Sequence, residues 1–339
     1  MVQQTESESL NAAWRALKGD VEREGWRTIA VAGGTRCRIL AGRHFPGNEE
    51  AIIVGLSVGI TPSATSLPAG NGFIVKILDL GVASAGCVWF GLVRQPAGRL
   101  DFFEMMAEDI VATIIASGPA DDERLLAVFL GRVRAWQSFM ERDSEGILGA
   151  EAEVGLHGEL VVLKSILAAG VNVEVAVQAW CGPLDGLHDF RFPAGAIEVK
   201  ATTSTGTFPA TVSSLEQLDE SMVNELFLAG VRLRTGPDGK SLAHRAEEIR
   251  HHLHDNPVTL AAFETRLLHA GFFPALAARY PRRFSHIQTT IHHVSNGFPR
   301  LTHASVPVAV RKARYEIDLD LAASADLPLI SVLKTIGAL

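Results

Sequence analysis

The sequence predicts an α/β (α+β) fold in which helices flank a mixed central sheet, with a β-rich N-terminal domain and a C-terminal α/β extension. Three observations predict it. The first hundred residues are short apolar runs separated by turn residues, and residues 103–141 carry apolar side chains at helical spacing. Residues 151–254 then mix helix and strand patterns, which is typical of an α/β core.

The chain has 339 residues, which is longer than a single core usually supports. We therefore divide it into four parts by composition and pattern. These are a β-rich N-terminal domain (1–104), a helical connector (105–149), an α/β core (150–255) and a basic C-terminal region (256–339).

Composition and cysteine usage favour a cytoplasmic protein that is not associated with a membrane. The chain is 47% hydrophobic and 20% charged, and no apolar run approaches the roughly 20 residues that cross a bilayer. Its N-terminus lacks the basic start and apolar block of a secretory signal. The three cysteines are scattered without CxxC spacing, which fits a reducing compartment.

The β-rich domain and the helical connector are predicted element by element. The predicted strands are TIAVA, RCRILAG, EAIIVGLSV, GFIVKILDLG and CVWFGLV. Two helices follow, FFEMMAEDIVATIIAS and DDERLLAVFLGRVRAWQSFMER. Asp121 and Asp122 lie where carboxylates suit the exposed N–H groups at the start of the second helix. The segment DSEGILGA is predicted to be a linker.

The α/β core begins with the helix EVGLHGELVVLKSILAAG, whose leucines form one stripe and which ends at Gly170. NVEVAVQAW is predicted to be a strand, and HDFRF, PAG and AIEVKAT form a strand–turn–strand unit. TFPATVSS and LFLAGVRLR are further strands, and GPDG is predicted to be a turn. Ser241 caps the helix SLAHRAEEIRHHL.

The C-terminal region is basic over a long stretch. Asn256 and Pro257 begin a helix, and FSHIQTTIHHVSN, PRLT and RKARYEIDLDLA are strand-like. Residues 265–315 contain no Asp or Glu but eight Arg and Lys, although the whole chain has a net charge of −7. This asymmetry predicts an anionic partner at one face, the alternative being a basic surface without a ligand.

Charged residues interrupt the predicted hairpin of the core. Side chains alternate along a strand, so Glu198 and Lys200 project together while Ile197 and Val199 face the other way. Asp189 starts the preceding strand and can lie across from Glu198. Two such carboxylates repel unless a cation lies between them, and oxygen ligands suit Mg²⁺ or Mn²⁺. The alternative is a structural hairpin in which Lys200 pairs with one of the two acids.

This pattern, an Asp followed after eight residues by EVK and preceded by a helix bearing Glu159, resembles the active site of the PD-(D/E)XK nuclease superfamily. The strings GLHGELVVL, AWCGPLDGLHDF, AIEVKATT, SSLEQLD and GFPRL are similar to a bacterial group of PD-(D/E)XK motif proteins found beside restriction and phage-defence genes. The resemblance covers residues 136–321 and is strongest over residues 155–219.

The resemblance implies a restriction-endonuclease-like core over residues 150–255 and a role for each site residue. Glu159, Asp189 and Glu198 would hold Mg²⁺ (or Mn²⁺), Lys200 would assist the attacking water, and Gln217 would lie near the site. The residue before the aspartate is His188, where the superfamily motif has proline. We expect His188 to be structural or to touch a phosphate.

The activity implied is metal-dependent hydrolysis of double-stranded DNA by an endonuclease of a restriction or phage-defence system. Phosphate contacts are predicted from Arg279, Arg282, Arg283, Arg300, Arg311, Lys312 and Arg314. One alternative is a nuclease-fold subunit that binds DNA or an ATPase partner and cleaves only within a larger defence complex. A second is a small-molecule or RNA phosphodiesterase. Analogy with restriction-like nucleases makes a homodimer a further expectation.

Overall fold

The computed structural model describes the chain except for residues 1, 20–21, 34–37, 58, 60, 82–85, 119, 143–147, 185, 296 and 323–325. It contains two compact units, Met1–Gly146 and Ile147–Leu339. Most of the predicted linker, residues 143–147, lies outside the described residues. Both units combine helices with sheets, so the predicted α/β (α+β) class is confirmed.

The first unit contains an antiparallel sheet with the strand order β1-β2-β3-β6-β5-β4. Ala51, Ile53, Trp89 and Val93 form a buried cluster on this sheet. The strands agree with the runs predicted from the sequence, and a short additional strand, β4, pairs with β5. They are β1 (Gly25–Gly33), β2 (Arg38–Phe45), β3 (Glu49–Leu56), β4 (Ala69–Gly70), β5 (Phe73–Leu78) and β6 (Val88–Arg94).

The helices of this unit are α1 (Val2–Leu17), α2 (Leu100–Ala116) and α3 (Asp122–Arg142). The sequence patterns predict α2 and α3 but not α1. Helix α1 is attached to the sheet through Trp14, whose indole N–H donates to the Ala51 carbonyl at 2.9 Å. Helix α3 begins as predicted, because Asp121 Oδ1 accepts the N–H of Arg124 at 2.7 Å.

The second unit is built on a sheet with the order β11-β10-β8-β7. Strands β8 and β10 are parallel and the other pairs are antiparallel, so the sheet is mixed as predicted. Strands β9 and β12 form a separate two-stranded sheet. The elements of the unit are α4 (Ala150–Ala168), α5 (Val173–Ala179), β7 (Phe190–Phe192), β8 (Gly195–Thr202), β9 (Pro209–Val212), β10 (Glu225–Lys240), α6 (Leu242–Leu253), α7 (Pro257–His269), β11 (Phe284–His293), β12 (Tyr315–Asp318) and α8 (Leu329–Thr335).

Helix α4 packs tightly on β8, which fixes the distance between the helix and the strand that carry the predicted site. A Cβ atom at Gly158 would lie 2.6 Å from Ala201 Cβ, so glycine permits this close approach. The predicted leucine stripe is buried. The helix ends as predicted at Gly170, which has a φ of +90°.

The prediction of a strand over NVEVAVQAW is wrong, because Val173–Ala179 form helix α5. Alternating valines favour a strand locally, but Asn172 Oδ1 accepts the N–H of Glu174 at 2.9 Å and that of Val175 at 3.3 Å. This N-cap and the burial of Ala176 and Val177 outweigh the β propensity.

The prediction of a turn at GPDG is also wrong, because β10 continues through it to Lys240. Thr235 and Lys240 both pair with Phe284, so the intervening residues form a bulge rather than a chain reversal. In the C-terminal region PRLT contains no strand, and only Tyr315–Asp318 of RKARYEIDLDLA is extended. The predicted caps Ser241 and Asn256 both accept backbone N–H groups.

Within the described ranges, no helix combines the length and the apolar character that a membrane span requires.

Candidate active site

Strand β8 places Glu198 and Lys200 side by side. Lys200 Nζ lies 2.8 Å from Glu198 Oε1, and the Glu198 side chain is 2% exposed. Val199 points the other way, since its Cγ1 lies near Gly158 of helix α4. Because side chains alternate along a strand, Val199 lies on one face of β8 and Glu198 and Lys200 lie on the other.

Asp189, one residue before β7, is held against both the preceding loop and β8. Its carbonyl accepts the N–H groups of Cys181 at 2.9 Å and Gly182 at 3.1 Å. Its side-chain Oδ2 accepts the N–H of Val199 at 2.7 Å. Because Val199 directly follows Glu198, this bond brings the Asp189 carboxyl to the position across the hairpin that the sequence predicts.

Glu159 on α4 is oriented by a tryptophan. The buried Trp180 donates its indole N–H to Glu159 Oε2 at 2.8 Å. Trp180 is not among the site residues predicted from the sequence. The signal that was available is its place at the start of AWCGPLDGLHDF, the string that also carries Asp189.

Gly182 marks the space at which two of these carboxyls meet. A Cβ atom at this position would lie 2.6 Å from Asp189 Oδ1 and 3.4 Å from Glu159 Oε2. The two oxygens are therefore at most 6.0 Å apart, the sum of those distances. Any larger residue would fill the space between the acids, so glycine keeps it open. Gly182 is likewise not among the site residues predicted from the sequence.

Burial raises the pKa values of the three carboxyl groups, of which Glu198 belongs to a buried residue and Glu159 and Asp189 to half-buried ones. The pKa of Glu198 rises to about 8 by burial and then by the Asp189 charge, with Lys200 acting in the opposite direction. The pKa of Asp189 rises to about 6 by burial, against the Val199 N–H and Lys200. Burial, followed by the charge of Asp189, holds the pKa of Glu159 well above its usual range.

Desolvated acids of which one, Asp189, raises the pKa values of the other two by its charge are suited to share a cation. The open space at Gly182 and the hard oxygen donors fit Mg²⁺ or Mn²⁺, and Glu159, Asp189 and Glu198 are the residues that would hold the ion. Among the residues that the structure describes, no group of three or more His, Cys, Asp or Glu forms a ready-made metal centre.

Gln217 lies beside the lysine, where the resemblance expects it. Its Oε1 accepts the N–H of Ser213 at 2.8 Å and the ammonium of Lys200 at 3.2 Å. Arg300 supports the same segment, because it donates to the Leu218 carbonyl at 3.0 Å. Lys200 is thus positioned by both Glu198 and Gln217.

The alternative of a purely structural hairpin accounts for only part of this geometry. Lys200 does pair with Glu198, as that interpretation requires. Asp189 and Glu159, however, are held by a backbone N–H and an indole N–H, which bring no positive charge. His188 is buried, and burial followed by the charge of Arg191 lowers its pKa, which favours the structural role.

The residues predicted to contact DNA divide into two groups. Arg282 donates to the buried Glu153 at 2.8 Å, and Arg300 pairs with Glu220 at 2.8 Å, so both are engaged within the unit. The others are exposed. They are Arg279, Arg283, Arg311, Lys312 and Arg314.

The PD-(D/E)XK class is defined by a mixed sheet whose strands bring an Asp and a Glu-x-Lys sequence together, with a Glu from a neighbouring helix at the same place. The chain belongs to the family described as "Putative PD-(D/E)XK family member, (DUF4420)", whose model matches residues 10–320. The predicted resemblance to the PD-(D/E)XK superfamily is therefore confirmed, and the match also includes most of the first unit. No significant match was found among curated proteins or among solved structures.

Gly182→Ala is expected to weaken Mg²⁺ binding, since the new methyl group would crowd Asp189 Oδ1. We expect the rise in melting temperature on adding Mg²⁺ to fall by at least half. Differential scanning fluorimetry with and without EDTA measures it. Gly155→Ala is the matched control, because a Cβ atom there meets nothing within 4 Å. An unchanged Mg²⁺ response in Gly182→Ala would contradict the role of this space.

Proposed function

We propose that this protein is a Mg²⁺- or Mn²⁺-dependent DNA endonuclease that acts in a cytoplasmic restriction or phage-defence system. The observation that carries the proposal is the Lys200 ammonium beside Glu198, with Asp189 and Glu159 desolvated around the same space. Membership of the PD-(D/E)XK family supports a nuclease.

Each site residue has a chemical task in phosphodiester hydrolysis. Glu159, Asp189 and Glu198 would hold the divalent ion, which when bound supplies Lewis acidity and charge compensation. Lys200 is held by Glu198 and Gln217 in a position to orient an attacking water and to neutralise negative charge that develops on the phosphate. Trp180 keeps the Glu159 carboxyl turned towards the site.

The charge distribution supports DNA as the substrate. Residues 265–315 contain no acid, and five of the arginines and lysines predicted to contact phosphates are exposed. Such cations bind the phosphate backbone irrespective of sequence, and the affinity should fall steeply with salt. A small-molecule phosphodiesterase would not need so long a basic surface. The other alternative, an RNA phosphodiesterase, is distinguished by competition between duplex DNA and duplex RNA for binding.

Plasmid cleavage tests the proposal. We expect the wild-type protein to nick or linearise plasmid with Mg²⁺ or Mn²⁺ and to leave it intact in EDTA. Asp189→Ala removes a carboxylate and the bond to Val199, so the rate should fall by about 10²-fold or more. Asp238→Ala, on the exposed part of β10, is the matched control and should cleave normally. Equal cleavage by wild type and Asp189→Ala would reject the site.

One observation favours the second candidate, a nuclease-fold subunit that cleaves only within a larger complex. Glu198 has a pKa of about 8 and pairs with Lys200, so loading the ion requires loss of a proton and loosening of that pair. Binding of DNA, a second copy or an ATPase encoded in the same operon would supply the change. This candidate predicts no cleavage by the purified chain and recovery of cleavage when the operon neighbour is added.

A further inference from the structure

The segment between the GFPRL string and β12 projects an apolar side chain into solvent. Val308 is 96% exposed, more than any other large hydrophobic residue described. We call residues 301–314 the Val308 loop. A single exposed valine is common on protein surfaces, so Val308 is informative only together with the exposed cations that follow it in the same loop.

The Val308 loop is ordered by its own hydrogen bonds. The N–H of Val310 donates to the Pro307 carbonyl at 2.8 Å and closes a turn with Val308 at its outer edge. At the base, Thr302 accepts the N–H of Ser305 at 3.0 Å, and the Tyr315 hydroxyl accepts the N–H of Leu301 at 2.9 Å. Because these bonds fix the loop, little ordering entropy is lost when Val308 meets a partner.

The same loop is anchored beside the catalytic lysine. Tyr315, which follows the loop, pairs with Val212 at the end of β9. The next residue, Ser213, donates to Gln217 Oε1, which also accepts the ammonium of Lys200. A second link is an ion pair at 2.7 Å between His303 of the loop and Glu216, the neighbour of Gln217.

The chemistry of the loop matches nucleic acid. Arg311, Lys312 and Arg314 follow Val308 closely and are exposed, and the loop contains no acid. Proteins that enter the minor groove combine cations on the phosphates with an apolar wedge that partly unstacks one base step. A protein partner would be expected to cover a larger apolar patch than one valine.

We propose that the Val308 loop engages duplex DNA next to the active site, with Val308 as an apolar wedge at a base step and Arg311, Lys312 and Arg314 on the flanking phosphates. This rests on the proposed DNA substrate. It adds a device that grips and distorts the duplex beside Lys200, which the site itself does not contain.

The test uses the full chain in EDTA, so that binding is measured without cleavage. The probe is an A·T-rich duplex of about 20 base pairs with a central 2-aminopurine, whose fluorescence rises on unstacking. Val308→Ser should weaken binding by about tenfold and abolish the fluorescence rise. Val258→Ser is the matched control, because this valine is 65% exposed on α7. Arg311→Ala with Lys312→Ala should lower the salt dependence by about two counterions.

The outcomes separate this inference from the proposed function. The inference is overturned if Val308→Ser binds and unstacks the duplex like wild type. It is also overturned if the wild-type protein binds no duplex and binds a protein instead. If Val308 is required for binding but wild type cuts no plasmid under any metal condition, the wedge stands and the endonuclease proposal fails. If wild type cuts plasmid and Val308→Ser retains full affinity, only the wedge fails.

Discussion

Lys200→Ala is expected to lower the rate of plasmid cleavage by about 10²–10³-fold, the usual cost of removing one group that stabilises charge in a transition state. Lys200 is positioned by Glu198 at 2.8 Å and by Gln217 at 3.2 Å. It supplies no oxygen to a metal ion, so the rise in melting temperature with Mg²⁺ should persist. Single-turnover cleavage rates and scanning fluorimetry on the same preparation measure both effects.

The separation of the two readouts is what identifies Lys200 as a catalytic residue. Lys334→Ala is the matched control, because this lysine is exposed on α8 and its loss should change neither rate nor melting temperature. Gln217→Ala should give a smaller loss than Lys200→Ala, since Glu198 would still hold the ammonium. A Lys200→Ala variant that cleaves at the wild-type rate would show that the Lys200–Glu198 pair is only structural.

Glu198→Gln is expected to make the metal-free protein more stable than wild type at alkaline pH. The pKa of Glu198 is about 8 in the folded protein and near its ordinary value of 4.5 when the chain is unfolded. Between those values the unfolded chain is ionised while the folded site retains its proton. The wild-type free energy of unfolding therefore falls as pH rises from about 4.5 to 8, by up to about 1.4 kcal/mol per pH unit, and is level above.

Urea denaturation at pH 5 and pH 9, with EDTA or Mg²⁺, measures this difference. In EDTA the free energy of unfolding of Glu198→Gln should exceed that of wild type at pH 9 and approach it at pH 5. Mg²⁺ should raise the stability of wild type at pH 9 and have little effect on the variant, because the ion binds the ionised carboxylate. A variant that is less stable than wild type at pH 9 in EDTA would contradict the desolvation of Glu198.

Glu248→Gln provides a control of opposite sign. Burial raises the pKa of Glu248, but hydrogen bonds from Lys164 and Lys240 and the charge of Arg245 outweigh it and lower the pKa to about 2. Ionised Glu248 therefore stabilises the fold above about pH 4.5, and this contribution is lost as pH falls towards 2. Glu248→Gln should be less stable than wild type at pH 7, and Mg²⁺ should not restore it.

Several parts of the site could be predicted from the sequence because they depend on local geometry. The alternation of Glu198 and Lys200 against Val199 needs only the two-residue period of a strand. The caps at Asp121, Ser241 and Asn256 need only a side-chain oxygen that reaches an N–H three residues away. The resemblance added Glu159 and Gln217, and the family match covers residues 10–320, which extends further towards the N-terminus than the predicted 136–321.

Other parts depend on residues that are distant in the chain. Trp180 reaches Glu159 across 21 positions, and Gly182 is significant only because Asp189 and Glu159 converge on it. Neither residue carries a local pattern that distinguishes it from an ordinary core tryptophan or a turn glycine. The same holds for GPDG, where pairing of Thr235 and Lys240 with Phe284 turns a local turn signal into a bulge.

The sequence by itself therefore determined the α/β class, the order of most elements and the long stretch without acids, and it predicted the acidic and basic residues of the candidate site. Only the tertiary structure decided that α5 is a helix, that Gly182 leaves room between two carboxyls and that the base of the Val308 loop is linked to Lys200 through the segment that carries Gln217. The physical reason is the separation along the chain over which each interaction acts, since periodicity and capping involve residues only a few positions apart. Desolvation, close approach and mutual repulsion of carboxyls arise only when distant segments pack together.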